Sequence, residues 1–193
     1  YEIMPSLVGS EMCIRDRGAS DTLGLIDKYK EEAEKGMVKL ADRTDLFGEN
    51  NVFAELASAK NELNRAQVSG GDVNAAMSKY KATQKQALSV YNDLLRGKNI
   101  SVPPKEGLSE RDRKNDIEKK LNGLAEIRAT SKENIERLGA VEASIKNLGL
   151  SGSNGKPYQE YSTDAEDSIK LVKEQSQKEM EANRADHVIA NNK

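Results

Sequence analysis

Gly155-Lys156, His187 and a few acidic and tyrosine pairs are the residues whose types first suggest chemistry. A phosphate-binding loop needs a glycine five residues before the Gly-Lys pair and Ser or Thr after it. Leu150 and Pro157 occupy those places, so Gly155-Lys156 reads as an interhelix loop. His187 is the only histidine and stands among Asn183, Arg184 and Asp186. A lone imidazole without clustered partners is expected on the surface rather than as a metal ligand or general base. Glu31-Glu32 and Glu133/Glu136 resemble a carboxylate dyad only superficially. Lysines at helical spacing beside them make a solvated, ion-paired face. Tyr80 and Tyr91 share a helix's apolar face, where core packing outweighs ligand stacking. Asn99-Ile100-Ser101 matches a glycosylation acceptor, with nothing in the chain to indicate secretion. No residue is assigned as catalytic, cofactor-binding or metal-binding, and the chain is not expected to be an enzyme.

The elements that must carry these residues are helices. Ser20 is a good N-cap, and Ile26, Tyr29, Ala33, Met37 and Leu40 follow at spacings of three and four, predicting a helix near 20–43. Asn51 caps a second near 51–68, with Val52, Leu56, Ala59, Leu63 and Ala66 inward. Ser69-Gly70-Gly71 interrupts the pattern, as a hairpin or only a kink. Asp72 caps a third near 72–96 carrying Val73, Met77, Tyr80, Ala87, Val90, Tyr91 and Leu94, with Gly97 to end it. Pro103-Pro104 marks a linker. From Ser109 to about Leu148, Ile117, Leu121, Leu124, Ile135, Leu138 and Ile145 alternate by four and three. Ile127, Val141 and Leu148 lie beside them, predicting one rod near 109–148. Arg128, Ser131 and Glu142 interrupt that seam. Gly149 to Pro157 is a loop, and a last helix near 162–190 places Ala165, Ile169, Val172 and Met180 inward. Strand alternation is absent. The expected fold is all-α: long antiparallel helices, coiled-coil-like arms joined by Pro/Gly linkers.

Residues 6–17, SLVGSEMCIRDR, resemble the translation of a transposase adapter used in sequencing libraries. On that resemblance residues 1–17 are a non-native segment, and a native helical domain fragment occupies 18–193. The only cysteine, Cys13, lies in the segment, so no disulfide, thiol nucleophile or Cys-based metal site is expected. Setting aside Glu2, Glu11, Asp16, Arg15 and Arg17 leaves 28 basic against 29 acidic residues. Such a balance argues against nucleic acid, which calls for a basic stripe. Leu, Ile, Val and Phe make up about a fifth of the chain, which suits slender helices each burying one narrow stripe. No window approaches the roughly 18 apolar residues of a membrane span, and a cytoplasmic setting is the default.

The order of elements resembles the V-shaped helical domain of Alix-type endosomal sorting adaptors. The residues concerned are Leu63-x-x-Ala66, Val73, Met77, Tyr80, Leu94-Leu95 and the crossover at Pro103. The likeness continues in Leu124-Ala-Glu-Ile127-Arg128, Ile135, Leu138 and Val172-x-x-Gln175. Gly70 stands where the family carries an acid. The resemblance implies a non-enzymatic scaffold in protein transport, endosome-associated, that binds short Tyr/Leu-rich peptide motifs and, in some members, ubiquitin. The counterpart of the peptide groove would be Val141, Ile145 and Leu148, without the family's aromatic residue. The plainer reading of these three is burial against the last helix. A structural coiled-coil protein (a filament, tether or rod that self-associates) is the alternative, so a monomer and a coiled-coil dimer both stand as expectations. No cofactor is expected under either reading.

Overall fold

A computed structural model describes residues 3–98, 100, 102 and 105–191, with side chains from 16 to 188 within that span. The pair Pro103-Pro104, and Asn99 and Ser101 of the acceptor triplet, lie outside it, as does the Cys13 side chain. The described residues form seven helices and no strand: α1 Ile3–Leu40, α2 Thr44–Phe47, α3 Val52–Ser69, α4 Val73–Arg96, α5 Glu110–Thr130, α6 Lys132–Leu148 and α7 Thr163–Asn191. The fold is all-α. Two compact units divide the chain, residues 1–29 with 137–193, and residues 30–136. α1 and α6 each contribute to both.

Three elements differ from expectation. α1 starts at Ile3, so Ser20 is an interior residue and caps nothing. Pro5 is in the first turn, where a missing N–H costs nothing, and no proline follows it to stop the helix. The polar run after Leu40 contains the short helix α2, whose Leu46 is buried. The rod expected over 109–148 is two helices. Ser131, at φ −102 and ψ 23, ends α5 by donating its N–H to the Arg128 carbonyl. Its own carbonyl then accepts from Ile135 N and starts α6. Thr130 Oγ1 donates back to the Ile127 carbonyl at 3.0 Å. Two hydroxyl residues in succession thus compete with the helical ladder.

In the unit of residues 1–29 and 137–193, Ala19, Thr22, Ile26 and Tyr29 of α1 are buried, as are Leu138, Val141 and Ile145 of α6. Tyr161, Ala165 and Ile169 complete that core. The spacings of three and four put each set on one face. Thr22 Oγ1 lies 2.6 Å from Ser144 Oγ, a polar tie between α1 and α6.

In residues 30–136, α3 and α4 pack as an antiparallel hairpin, so Gly70-Gly71 is a turn and not a kink. Gly70 takes the left-handed conformation at φ 75, and the N–H groups of Gly70 and Gly71 both bond the Ala66 carbonyl. α3 begins at Asn51, whose Oδ1 accepts from Ala54 N at 2.8 Å while Nδ2 donates to the Gly48 carbonyl at 2.8 Å. The side chains of Asp72 and Ser109 cap α4 and α5 by accepting from Ala75 N and Asp112 N. Ala33, Met37 and Leu40 are buried with Phe53, Leu56, Ala59, Leu63, Leu88, Tyr91 and Leu94.

Candidate functional site

Tyrosine hydroxyls and their partners tie together several elements of the described residues. In residues 30–136, Glu34 of α1 accepts a short hydrogen bond from the Tyr80 hydroxyl of α4. Lys60 of α3 lies 3.6 Å from the same carboxylate oxygen. Three helices therefore meet at one carboxylate. Burial, and then the hydrogen bond to Glu34 and its charge, push the Tyr80 phenol above its ordinary range and hold it protonated. Beside them on α3 and α4, Lys79 pairs with Glu62 at 3.0 Å across the hairpin.

A second junction is built on Tyr91, which is buried. Its hydroxyl accepts from Asn134 Nδ2 of α6 at 2.8 Å, and that nitrogen also reaches the Glu32 carbonyl of α1 at 3.5 Å. Gly36 of α1 makes the approach feasible: a Cβ there would lie 2.6 Å from the Tyr91 hydroxyl. The third junction belongs to the other unit. The Tyr161 hydroxyl donates to Glu166 at 2.9 Å, and Glu166 also pairs with Lys170 at 3.1 Å. Tyr29 meets the Tyr161 ring edge to face at 5.9 Å. Burial first, then Glu166, raises the Tyr161 phenol far above the ordinary tyrosine range.

The first two junctions are long-range, Tyr80 with Glu34 and Tyr91 with Asn134, and no local signal in the sequence announces them. Tyr80 and Tyr91 were legible as inward-facing, but their partners Glu34 and Asn134 were not.

Among the described residues of 30–136, two hollows stand out. A polar cleft of about 780 Å³ is lined by α2 and α5, with Arg43, Asp45, Asp116, Lys120 and Glu126 among its walls. Arg43 and Asp45 pair at 3.1 Å, and Lys120 pairs with Asp116 at 2.9 Å. The first pairing raises the Arg43 guanidinium and lowers the Asp45 carboxyl. Its charges largely satisfy one another. A smaller hollow of about 300 Å³ is lined by Phe47, Phe53, Val52, Val90 and Ile100.

The residues singled out from sequence are scattered. Val141 and Ile145 are fully buried in their unit and Leu148 is half-buried. Neither of the two buried side chains is exposed to a partner in this structure. His187 is exposed on α7. Glu31 is exposed, and Glu32 pairs with Lys35 at 3.2 Å. Gly155 and Lys156 sit in the exposed α6–α7 loop, with no strand before them. Among the described residues no His, Cys, Asp and Glu gather in a group able to hold a metal, and no helix is long and apolar enough to cross a membrane. Comparison with known proteins finds no matching family model, no matching curated protein and no matching solved structure.

Proposed function

We infer that this chain is a non-enzymatic helical interaction scaffold that works by presenting the outer faces of fixed helices to protein or peptide partners. The supporting observation is the use made of its reactive-looking side chains. Tyr80, Tyr91 and Tyr161, with Glu34, Asn134 and Glu166, each bond one helix or loop to another. Groups spent in this way stiffen a frame, and a stiff frame binds without losing much conformational freedom. Endosomal sorting in the cytoplasm is the specific form of this reading. Its support is the likeness in Leu63, Val73, Met77, Tyr80 and the Leu124–Arg128 run. Peptide motifs, and ubiquitin as a second class of partner, belong to that form.

Titration of the folded chain with ubiquitin and with displayed peptides selected against it tests the proposal. Saturable binding that survives point changes at His187 and Lys156 supports a scaffold. No binding in either arm overturns it.

The self-associating coiled-coil alternative has one observation in its favour. Ile117 and Leu121, one turn apart on α5, are 49% and 57% exposed. Apolar residues at that spacing suit a second helix. The mass of the chain in solution decides between the two readings.

A further inference from the structure

The dipeptide Asn-Gly occurs twice in this chain, as Asn122-Gly123 within α5 and as Asn154-Gly155 in the loop between α6 and α7. An asparagine followed by glycine is open to attack on its own side-chain amide by the next backbone nitrogen. Glycine neither shields that nitrogen nor restricts the rotation that brings it to the amide carbon. The two copies sit in opposite environments.

Asn154 is exposed at the tip of a closed loop. The base of that loop is fixed by Tyr158 N donating to the Leu150 carbonyl at 3.0 Å and Gly152 N donating to the Lys156 carbonyl at 2.9 Å. At the tip, Lys156 N–H donates to Asn154 Oδ1 at 3.1 Å. This bond polarises the side-chain carbonyl and already sits where negative charge builds on Oδ1 during attack. The attacking nitrogen, Gly155 N, is held by a single turn bond to the Gly152 carbonyl at 2.9 Å. An exposed turn of this kind opens locally without disturbing the helices.

Asn122 has the same neighbour but a helical backbone on both sides. Its ψ is fixed near the helical value of about −42°, which keeps the next nitrogen away from the side-chain amide carbon. Gly123 is buried, and any displacement meets Leu46, whose Cδ2 lies 2.8 Å from a Cβ position there. Attack at Asn122 requires α5 to unwind.

We propose that Asn154 is a spontaneous modification site of the folded protein and that Asn122 is protected by its helix. Gly155 N bonds to Asn154 Cγ, and the Cγ–Nδ2 bond breaks. Nδ2 departs as ammonia with the proton that Gly155 N gives up. The product is a cyclic imide. Water then adds to one or other imide carbonyl and cleaves its bond to nitrogen, leaving aspartate or isoaspartate. No oxidant or reductant takes part. Either product places a new negative charge beside Lys156. Isoaspartate also inserts one more methylene into the backbone of a loop whose base is clamped at Ser151 and Pro157.

The test is peptide mapping by mass spectrometry on the full folded chain, incubated at mildly alkaline pH and sampled over days. The expected result is a gain of about 1 Da confined to residue 154, as a chromatographic doublet, with Asn122 unchanged. The gain disappears in Asn154→Gln. In denaturant, where helix and loop are both lost, Asn122 and Asn154 convert at similar rates. No gain at Asn154 in the folded chain overturns the proposal, as does equal conversion at both sites before unfolding. An Asn122 that stays intact in denaturant overturns the role given to the helix.

Discussion

Gly36→Ala separates helix propensity from helix packing within one substitution. Gly36 lies in the interior of α1, where alanine is worth about 0.5–1 kcal/mol more than glycine. The added Cβ would lie 2.6 Å from the Tyr91 hydroxyl and 3.3 Å from its ring carbon. The hydroxyl cannot simply swing aside: the ring is 1% exposed and Asn134 Nδ2 bonds it at 2.8 Å. Relief requires either a shift of the ring, at about 1–3 kcal/mol for overpacking, or loss of the hydrogen bond, at about 1–3 kcal/mol for a buried group left unsatisfied. Gly36→Ala is therefore expected to destabilise by roughly 1–2 kcal/mol after the propensity gain is subtracted.

Tyr91→Phe removes the clashing atom and one hydrogen bond, costing about 0.5–1.5 kcal/mol by itself. In the Tyr91→Phe background, the remaining 3.3 Å contact needs a give of only a few tenths of an ångström. Gly36→Ala then becomes neutral or slightly stabilising. A double-mutant cycle by urea denaturation, followed by far-ultraviolet circular dichroism, should return a coupling of about 1–2 kcal/mol. If the two changes add to within about 0.5 kcal/mol, the close approach of Tyr91 to α1 is not the contact described.

Gly24→Ala and Gly139→Ala supply the contrast, since a Cβ at either meets nothing within 4 Å. Each should stabilise by about 0.5–1 kcal/mol, read as a rise in urea midpoint, and a loss at either would refute the open space described. Asn51→Asp keeps the cap acceptor but loses the donor to the Gly48 carbonyl, whereas Asn51→Ala loses both. The alanine variant should cost about 1–3 kcal/mol, more than the aspartate one, and equal denaturation midpoints would contradict the double role. Tyr80 and Tyr161 have phenols raised above the usual value of about 10. A raised folded pKa gives stability that is complete below the unfolded pKa and is lost as pH rises toward the folded one. Stability should fall above pH about 10. Tyr161→Phe should flatten that fall in an alkaline denaturation series, and an unchanged slope would refute the linkage.

The helical periods of this chain are legible because burial needs only one face. Spacings of three and four predict which residues of α1, α3 and α4 turn inward, and Ile26, Ala33, Leu56 and Tyr91 are buried accordingly. Turn chemistry is legible at Asn51, Asp72 and Gly97, where a side chain or a left-handed glycine must satisfy free backbone groups. The break at Ser131 was not: Arg128 and Ser131 interrupt the seam, but Ile135 and Leu138 resume it in the same four-and-three register, as they would in one unbroken rod. Partners were illegible altogether. Glu34, 46 positions from Tyr80, is an ordinary surface acid by its local spacing, and only the α3–α4 hairpin brings Tyr80 and Lys60 to it. The cleft beside α5 was hidden for the same reason, since α2 and α5 are far apart in sequence.

Multi-angle light scattering of the chain over a wide dilution series tests most directly the claim that its helices are partnered within one molecule. The account predicts a single species of 21.2 kDa at every concentration. A dimer of twice that mass, persisting at the lowest concentration and dissolved by Leu121→Glu, would contradict it.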